Sequence, residues 1–419
     1  MTKTRVVIQS RLNSTRLPGK AMLTMAGMPL IELVARRASR SGHEVIVATS
    51  EEPYDRWIAE HMRSVGIPTL QGPLDDVLGR FELACRGLAD DDWVIRLTGD
   101  NPLADADLVD ELLAAMSSTR YRYGRVDIDR VPEGIGCEAF RAADLRRAAA
   151  QATESYDREH VTPWLRRNLG ELLWAPEGSP DDIHAYRATV DCLADYDRVM
   201  QLFAGVDDPV AIGYRELFER LSVLLQAQGR MARRTRAAGW ELAELILDAD
   251  ALAGEPADRV REVFAASISR GVAQVHVTHA VGEEVIHIGS DPQLRNRFQT
   301  IVQLPGQGRA DLELAGSRAN LGLRSVTAAY LAQLPDEEQW WQLQDAQIAG
   351  HVQRLGVRVS DPADLDEAAT LPGLSFIVTE GFHVASTDRV AIISAGLGQT
   401  RPGIAGIRSL DDLSEALAD

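Results

Sequence analysis

The segment Gln9-Ser-Arg-Leu-Asn-Ser-Thr-Arg-Leu-Pro-Gly-Lys20 sets three cations, Arg11, Arg16 and Lys20, among Ser14, Gly19 and other short residues. Lysine and arginine together number 44 in this 419-residue chain, yet the only lysines are Lys3 and Lys20. Where arginine replaces lysine almost everywhere, a retained lysine marks a place that needs a compact ammonium. Backbone N–H groups near Gly19, together with the three cations, could hold several phosphate oxygens, as a triphosphate requires. The P-loop pattern GxxxxGK[ST] is absent, and the competing reading is an ordinary surface turn. Asp100, in Leu97-Thr-Gly-Asp-Asn-Pro-Leu103, follows an apolar run directly. A carboxylate there suits Mg²⁺, which takes one or two carboxylates plus phosphate oxygens. The alternative is a helix cap, but Asp105 is better placed for capping. Asp191, closing Ala188-Thr-Val-Asp191, could supply a second carboxylate.

The elements that must position these groups alternate. Thr4–Gln9 (TRVVIQ), residues 44–49 (EVIVAT) and 93–97 (WVIRL) read as buried strands. Helical patterns occupy residues 30–40, 53–65 and 73–87, and another runs through Leu103, Leu108, Val109, Leu112, Leu113 and Met116. This order predicts a mostly parallel sheet covered by helices, with ligands beyond the carboxyl ends of its strands. The loops at residues 9–20, 49–50 and 98–100 should therefore meet at one site. Residues 121–140, broken by Pro132, Gly134 and Gly136, read as a β-rich excursion, an antiparallel flap or dimer arm. A helix is expected near residues 144–153, and residues 188–191 read as one more strand.

A chain of 45.8 kDa suggests two domains. The boundaries fall at residues 1–225, a polar, Arg-rich linker at 226–255, and 256–419. A net charge of −18 argues against nucleic acid as the main partner. The cationic loop is thus a local exception in an acidic protein. Cys85, Cys137 and Cys192 lack metal-ligand spacing and suggest reduced thiols. The N-terminus runs straight into a strand-like VVI, and no apolar run approaches 18 residues. The expectation is a soluble, cytoplasmic protein, a homodimer, with neither nucleic acid nor membrane as partner.

The run QSRLNSTRLPGK, with VATS at 47–50, QGPLDDVLGRF at 71–81, RLTGDNPL at 96–103, DREHVTP at 157–163 and ATVD at 188–191, resembles the SpsF-like spore-coat polysaccharide branch of the acylneuraminate cytidylyltransferase family. The resemblance covers residues 4 to about 200. It implies a Rossmann-like, GT-A-like nucleotidyltransferase domain and CTP as donor, with an acceptor oxygen attacking the α-phosphorus and pyrophosphate leaving. It places Gln9, Arg11, Ser14, Arg16 and Lys20 at the triphosphate and Asp100 and Asp191 at Mg²⁺. Ala48 and Thr49 fall at the cytosine, and Glu138, Glu159 and His160 on the acceptor side. Lys20, Arg11 and Asp100 are the expected catalytic groups. His160 reads either as a general base or as a structural hydrogen-bonding group. One departure is Gly134-Ile-Gly136-Cys-Glu138-Ala-Phe140, where Gly136 replaces a carboxylate.

The second half is also α/β. Helix-like residues 257–271, 340–355, 362–370 and 410–418 alternate with strand-like residues 273–277, 356–360 and 374–378. Its segments 270–282, 355–360, 371–373 and 406–410 resemble aldo-keto reductases. The resemblance implies a (β/α)₈ barrel, incomplete because 164 or so residues are short for one. His276, Val281, Gln303 and Ala332 stand where that family has its Asp, Tyr, Lys and His. Reductase chemistry and NADPH are therefore not expected, and the domain reads as degenerate and non-catalytic. His276, His279 and His287 with Glu283 and Glu284 fit no standard zinc spacing and read as ordinary histidines. Trp340 and Trp341 read as core or interface packing rather than a ligand box.

The leading functional expectation is a Mg²⁺-dependent cytidylyltransferase acting on a sugar acid, sugar or phosphonate. A glycosyltransferase on the same nucleotide-binding fold is the alternative. It would need a DxD-like site, and the acidic cluster Asp90-Asp91-Asp92 precedes its strand instead of following it. A nucleotide-binding scaffold without turnover is a third reading, disfavoured by the retained Lys20 and Asp100.

Overall fold

Val6, Val7 and Ile8 are all fully buried, as a strand covered by helices on both faces requires. The computed structural model describes every residue except 1, 15, 180–182, 184, 185, 279–296, 383, 385, 387, 388, 396–401 and 419. It divides into two units, Met1–Ala227 and Gln228–Asp419. Among the described residues no helix is long and apolar enough to cross a membrane.

The strands of the first unit are β1 (Thr4–Gln9), β2 (Thr24–Met25), β3 (Met28–Pro29), β4 (Glu44–Ser50), β5 (Thr69–Gly72), β6 (Trp93–Thr98), β7 (Tyr123–Val126), β8 (Glu138–Arg141) and β9 (Leu172–Trp174). Seven form one sheet in the order β5-β4-β1-β6-β8-β7-β9, and β2 and β3 form a separate hairpin. β1 pairs in parallel with β4 and β6, setting Gln9 level with Ala48 on one side and Thr98 on the other. The three loops singled out in the sequence therefore leave the same edge of the sheet. The helices Leu30–Ala38, Arg56–Ser64, Val77–Ala84 and Ala106–Ser117 cover it.

Two expectations need correction here. Residues 121–140 are not an excursion from the sheet, because β7 and β8 lie within it, antiparallel to each other, with β8 antiparallel to β6. Tyr123 and Phe140 are fully buried there, so the strands are held by core packing. Residues 188–191 do not form a strand, since only an isolated bridge joins Arg187 to Glu133. This segment packs instead against Gly134, where an added Cβ would sit 2.3 Å from the Thr189 backbone nitrogen.

The second unit opens with the hairpin β10 (Arg234–Ala237) and β11 (Trp240–Ala243). The strands β12 (Leu245–Asp248), β13 (Gln274–Thr278), β14 (Gln299–Leu304), β15 (Val326–Leu331), β16 (Val352–Val359), β17 (Leu374–Thr379), β18 (Ala391–Ser394) and β19 (Gly403–Ala405) follow. These eight form a closed barrel in that order, β19 pairing back to β12 in parallel. The barrel expected to be incomplete thus has a full set of strands. The missing length lies in its connections, such as residues 380–390 and 395–402, which are short for a parallel crossover of about a dozen residues. Residues 226–255, read as a linker, hold the hairpin and the first barrel strand. Trp240 and Leu242 of that hairpin join Ile246, Ile301, Ala328, Phe376 and Ile393 in the barrel core. The Trp240 Nε1–H donates to Gln299 Oε1 at the amino end of β14 (2.9 Å), so the hairpin plugs that end of the barrel. Trp340 is buried and donates to the Pro372 carbonyl. Trp341 is 69% exposed and so lies outside the core of this unit, which leaves core packing to Trp340.

Asp105 caps the helix Ala106–Ser117, its Oδ1 accepting from the Leu108 N–H at 3.1 Å, as its sequence position predicts. The same carboxylate, fully buried, accepts from Arg37, Arg40 and the Tyr214 N–H. Arg37 is also fully buried and donates to the carbonyls of Leu103, Pro209 and Ile212. Burial lowers its guanidinium pKa to about 10, with Asp105 pulling the other way, so it stays charged at neutral pH. Removing one partner of such a pair leaves the other desolvated and uncompensated. Asp105→Ala is expected to lower unfolding free energy by about 3–5 kcal/mol. Asp336→Ala, which removes the capping box of the helix Glu337–Ile348, should cost about 1 kcal/mol. Urea denaturation of the two variants measures the difference, and equal losses would contradict this account.

Candidate active site

The loop after β1 carries the cations, and its shape is set by its own hydrogen bonds. The Leu12 N–H donates to Asp55 Oδ1 at 2.7 Å, tying the loop to the fully buried Asp55, which also accepts from Ser50 at the end of β4. The Gly19 N–H donates to the Leu12 carbonyl (2.8 Å), closing the loop. Gly19 has φ 77°, the left-handed region that glycine enters without steric cost. Lys20 then opens a short 3₁₀ turn, Lys20–Met22, seated by buried Ala21.

Lys20 Nζ lies 2.7 Å from Asp100 Oδ2 and 2.8 Å from Asp191 Oδ1. The two carboxylates come from distant parts of the chain and converge on one ammonium. Their backbones are joined directly, the Val190 N–H donating to the Asp100 carbonyl at 2.8 Å. Gly99 permits this crowding, since a Cβ there would meet Ile31 Cδ1 at 2.8 Å and Ser10 Oγ at 2.9 Å. Asp191 also pairs with Arg16 (2.9 Å) and Arg187 (3.7 Å). Its own N–H donates to Asp195 Oδ2 at 3.1 Å. Burial alone would lower the Lys20 pKa, but Asp100 and Asp191 outweigh it and hold the ammonium above its ordinary value. At about 5 Å two bare carboxylates repel by roughly 3 kcal/mol at an effective dielectric near 20. The pair therefore needs a cation between it, and in this state Lys20 serves.

These groups line a cavity of about 270 Å³ with Gln9, Arg11, Ser14, Arg16, Lys20, Asp100, Glu159, His160 and Asp191 in its wall. Nine of the residues singled out in the sequence are thus brought together. Glu159 and His160 arrive at the end of the short helix Ser155–His160, whose next residue, Val161, is buried with φ 71°. A β-branched residue in that region costs about 1–3 kcal/mol and persists only where surrounding packing enforces it. The His160 ring packs 4.4 Å from that of Tyr156.

Three residues singled out in the sequence are placed differently. Ala48 and Thr49 are fully buried and lie outside the cavity wall. Glu138 is also outside it, and its carboxylate accepts from Arg96 (2.6 Å), Arg166 (3.1 Å) and the Tyr123 hydroxyl (2.8 Å). Burial would raise the Glu138 pKa, but Arg96 and Arg166 hold it below the ordinary carboxylate value. Arg96 in turn donates to Gln9 Oε1 at 3.1 Å. Glu138 acts on the cavity through that relay, by fixing Gln9.

Arg80 is the residue that sequence reasoning passed over. It lies in the quoted run QGPLDDVLGRF, lines the cavity and is only 3% exposed. Its Nη1 donates to the Pro73 carbonyl at 3.3 Å, while its buried Nε has no partner among the described residues. Only its position one turn into a helix that follows a glycine-containing strand end could have pointed to it. Asp90-Asp91-Asp92 sits at the opposite edge of the sheet, before β6. Asp92 accepts from the Lys3 and Ala89 N–H groups there, and Asp90 pairs with Arg146. That cluster is structural and offers no second metal site to this cavity. In the second unit His279, Val281, Glu283, Glu284 and His287 lie outside the described residues.

Comparison with known proteins agrees with this geometry. The spore coat polysaccharide biosynthesis protein SpsF of Bacillus subtilis is 30% identical over 233 residues, 52% of this chain and 92% of that protein. The 3-deoxy-manno-octulosonate cytidylyltransferase of Acidovorax sp. is 38% identical over 179 residues, 41% of this chain and 66% of that protein. The chain also has a likeness to the aldo-keto reductase of Klebsiella pneumoniae, at 13% identity and a TM-score of 0.34, over 39% of this chain and 67% of that one. Residues 5–227, which hold the whole of the cation loop, both carboxylates and the cavity they line, match the cytidylyltransferase family, and the chain belongs to it.

Proposed function

We propose that the first unit is a Mg²⁺-dependent cytidylyltransferase that transfers CMP from CTP to a sugar acid and releases pyrophosphate. A sugar or a phosphonate is the other acceptor class its chemistry would serve. The observation that carries this reading is the convergence of Asp100 and Asp191 on the single Lys20 ammonium, beside a loop of further cations. The names of the relatives support a sugar-acid acceptor.

A pair of carboxylates already meeting around one positive charge is a donor set that fits Mg²⁺. Asp100 and Asp191 would hold it, and when bound it would neutralise phosphate charge and leave the Lys20 ammonium to the triphosphate. Arg11, Arg16 and Lys20 would bind the triphosphate and stabilise the charge that collects on departing pyrophosphate. Arg80, buried with a free donor, would add a rigid hydrogen bond from the cavity floor. The acceptor oxygen attacks the α-phosphorus, the bond to the bridging oxygen of pyrophosphate breaks, and the electron pair leaves with that oxygen. The chain's contribution is alignment and charge compensation rather than a covalent intermediate. A second cavity of about 470 Å³ shares Arg11 and Glu159 with the first and is lined by Asp76, Ser155 and Arg158. It is the place we assign to the acceptor. A hydroxyl acceptor would give its proton to His160 or Glu159, which line the first cavity.

Pyrophosphate release, measured for each of the four nucleoside triphosphates with Mg²⁺ and a panel of acceptors, tests the reading. CTP with a sugar acid should give the fastest turnover, and equal rates for all four nucleotides would reject it. Lys20→Ala should lower kcat by about 10²–10³-fold, as loss of a preorganised electrostatic donor does. Lys20→Arg should fail to restore it, because a planar fork cannot sit between the two carboxylates as a point charge does. Full activity of Lys20→Ala would place Lys20 outside the chemistry, and full activity of Lys20→Arg would show that the site does not require a compact ammonium.

A further inference from the structure

The barrel carries a polar cluster at the carboxyl ends of its strands, remote in sequence from the nucleotide cavity. Alternation along a strand sends every second residue inward. Below, the inward positions are apolar, among them Ile246, Ile301, Ala328 and Phe376. One step further along, the same faces present Asp248 on β12, His276 on β13, Gln303 on β14 and Tyr330 on β15. Asp248 and His276 are register partners on neighbouring parallel strands. Asp250 follows in the turn Ala249–Leu252 and is held there by the Thr278 N–H at 2.9 Å.

The hydrogen bonds fix how His276 is presented. The Tyr330 hydroxyl donates to Gln303 Oε1 at 2.6 Å. Its single proton is thereby used, so its oxygen accepts from His276 Nε2–H at 2.9 Å. The other ring nitrogen, Nδ1, then faces Asp248 Oδ1 at 3.0 Å. A lone pair and a carboxylate at that distance demand a cation between them, a proton or a metal ion. Donation of the distal ring N–H to a fixed acceptor is also how metal-bound histidines are oriented. One ligand atom each from Asp248, Asp250 and His276 lies within 4.8 Å of the others. Ligands around a tetrahedral ion at about 2.1 Å stand roughly 3.4 Å apart, and Asp248 Oδ1 and His276 Nδ1, 3.0 Å apart, already meet that spacing.

We infer that the mouth of the barrel is a second metal site, in which Asp248, Asp250 and His276 bind one divalent transition-metal ion of the Zn²⁺ or Mn²⁺ class. An imidazole in the set favours these ions over Mg²⁺ or Ca²⁺, which prefer oxygen donors throughout. The ligands are distinct from the histidines and glutamates of residues 279–287. They lie at the carboxyl ends of β12 and β13, where parallel barrels place their chemistry. The inference is independent of CMP transfer, since it shares no residue with that site.

The experiment uses the full chain, stripped of metal and titrated with Co²⁺ as a spectroscopic stand-in for Zn²⁺. The parent and Asp100→Asn should both take up one Co²⁺ with visible absorption bands. Asp248→Asn and His276→Gln should bind it at least about ten-fold more weakly and lose the bands, and Tyr330→Phe should weaken it by about ten-fold. Near-UV circular dichroism and unchanged pyrophosphate release would show that these variants fold. X-ray absorption of Zn²⁺ on the parent gives a readout free of substitution: one imidazole among oxygen ligands is expected. Oxygen ligands alone, uptake unaffected by His276→Gln, or uptake abolished by Asp100→Asn would each overturn the inference.

Discussion

Two carboxylates and one ammonium set the terms for the first unit. Asp100 and Asp191 are brought so close that neither is tolerable without a cation, and Lys20 is shared between them. Such a cluster is useful because it is not self-sufficient. The carboxylates accept positive charge and the loop accepts negative charge, so a metal–triphosphate complex matches both halves at once. The surrounding structure exists to keep the two halves from drifting apart. The parallel register levels the ends of β1, β4 and β6, and Asp55 ties down the loop. The backbone bond from Val190 to Asp100 locks the carboxylates together.

The cost of that arrangement is met by close packing rather than by additional charge. Gly99 and Gly134 stand where any side chain would collide with neighbouring atoms, so backbone approaches backbone and the acidic groups follow. Val161 holds an unfavourable φ next to His160 because its side chain is fully buried. The relay from Glu138 through Arg96 to Gln9 works in the same manner. A buried carboxylate, fully used by protein donors, cannot meet a ligand, but it makes the residue in front of it rigid.

Both units apply one rule. Strands are apolar through their length and turn polar where they end at the carboxyl edge, because that is where side chains can converge without breaking the core. In the first unit the rule yields the cation loop and its carboxylates. In the barrel it yields Asp248, His276, Gln303 and Tyr330, joined by hydrogen bonds across four consecutive strands.

The chain order of strands and helices was legible from its apolar runs, and β1 matches the expected residues 4–9 because a buried parallel strand leaves an unbroken apolar signature. The loop 9–20, Asp100 and the capping role of Asp105 were legible because each depends on residue type next to an element end. Residues 121–140 were misread as an excursion because hairpin-like spacing is the same for a flap as for strands inserted in a sheet, and only the partners of β8 distinguish them. Barrel closure was hidden for a similar reason: connection length says little when strands close on one another through β19 and β12. Arg80 was invisible as a functional group because burial of a guanidinium is decided by what packs around it. Sequence alone thus determined which chemical groups this protein has and near which strand ends they lie. The tertiary structure alone decided which of them share a charge, because Lys20, Asp100 and Asp191 are separated by up to 171 positions and only long-range packing can bring them within 3 Å.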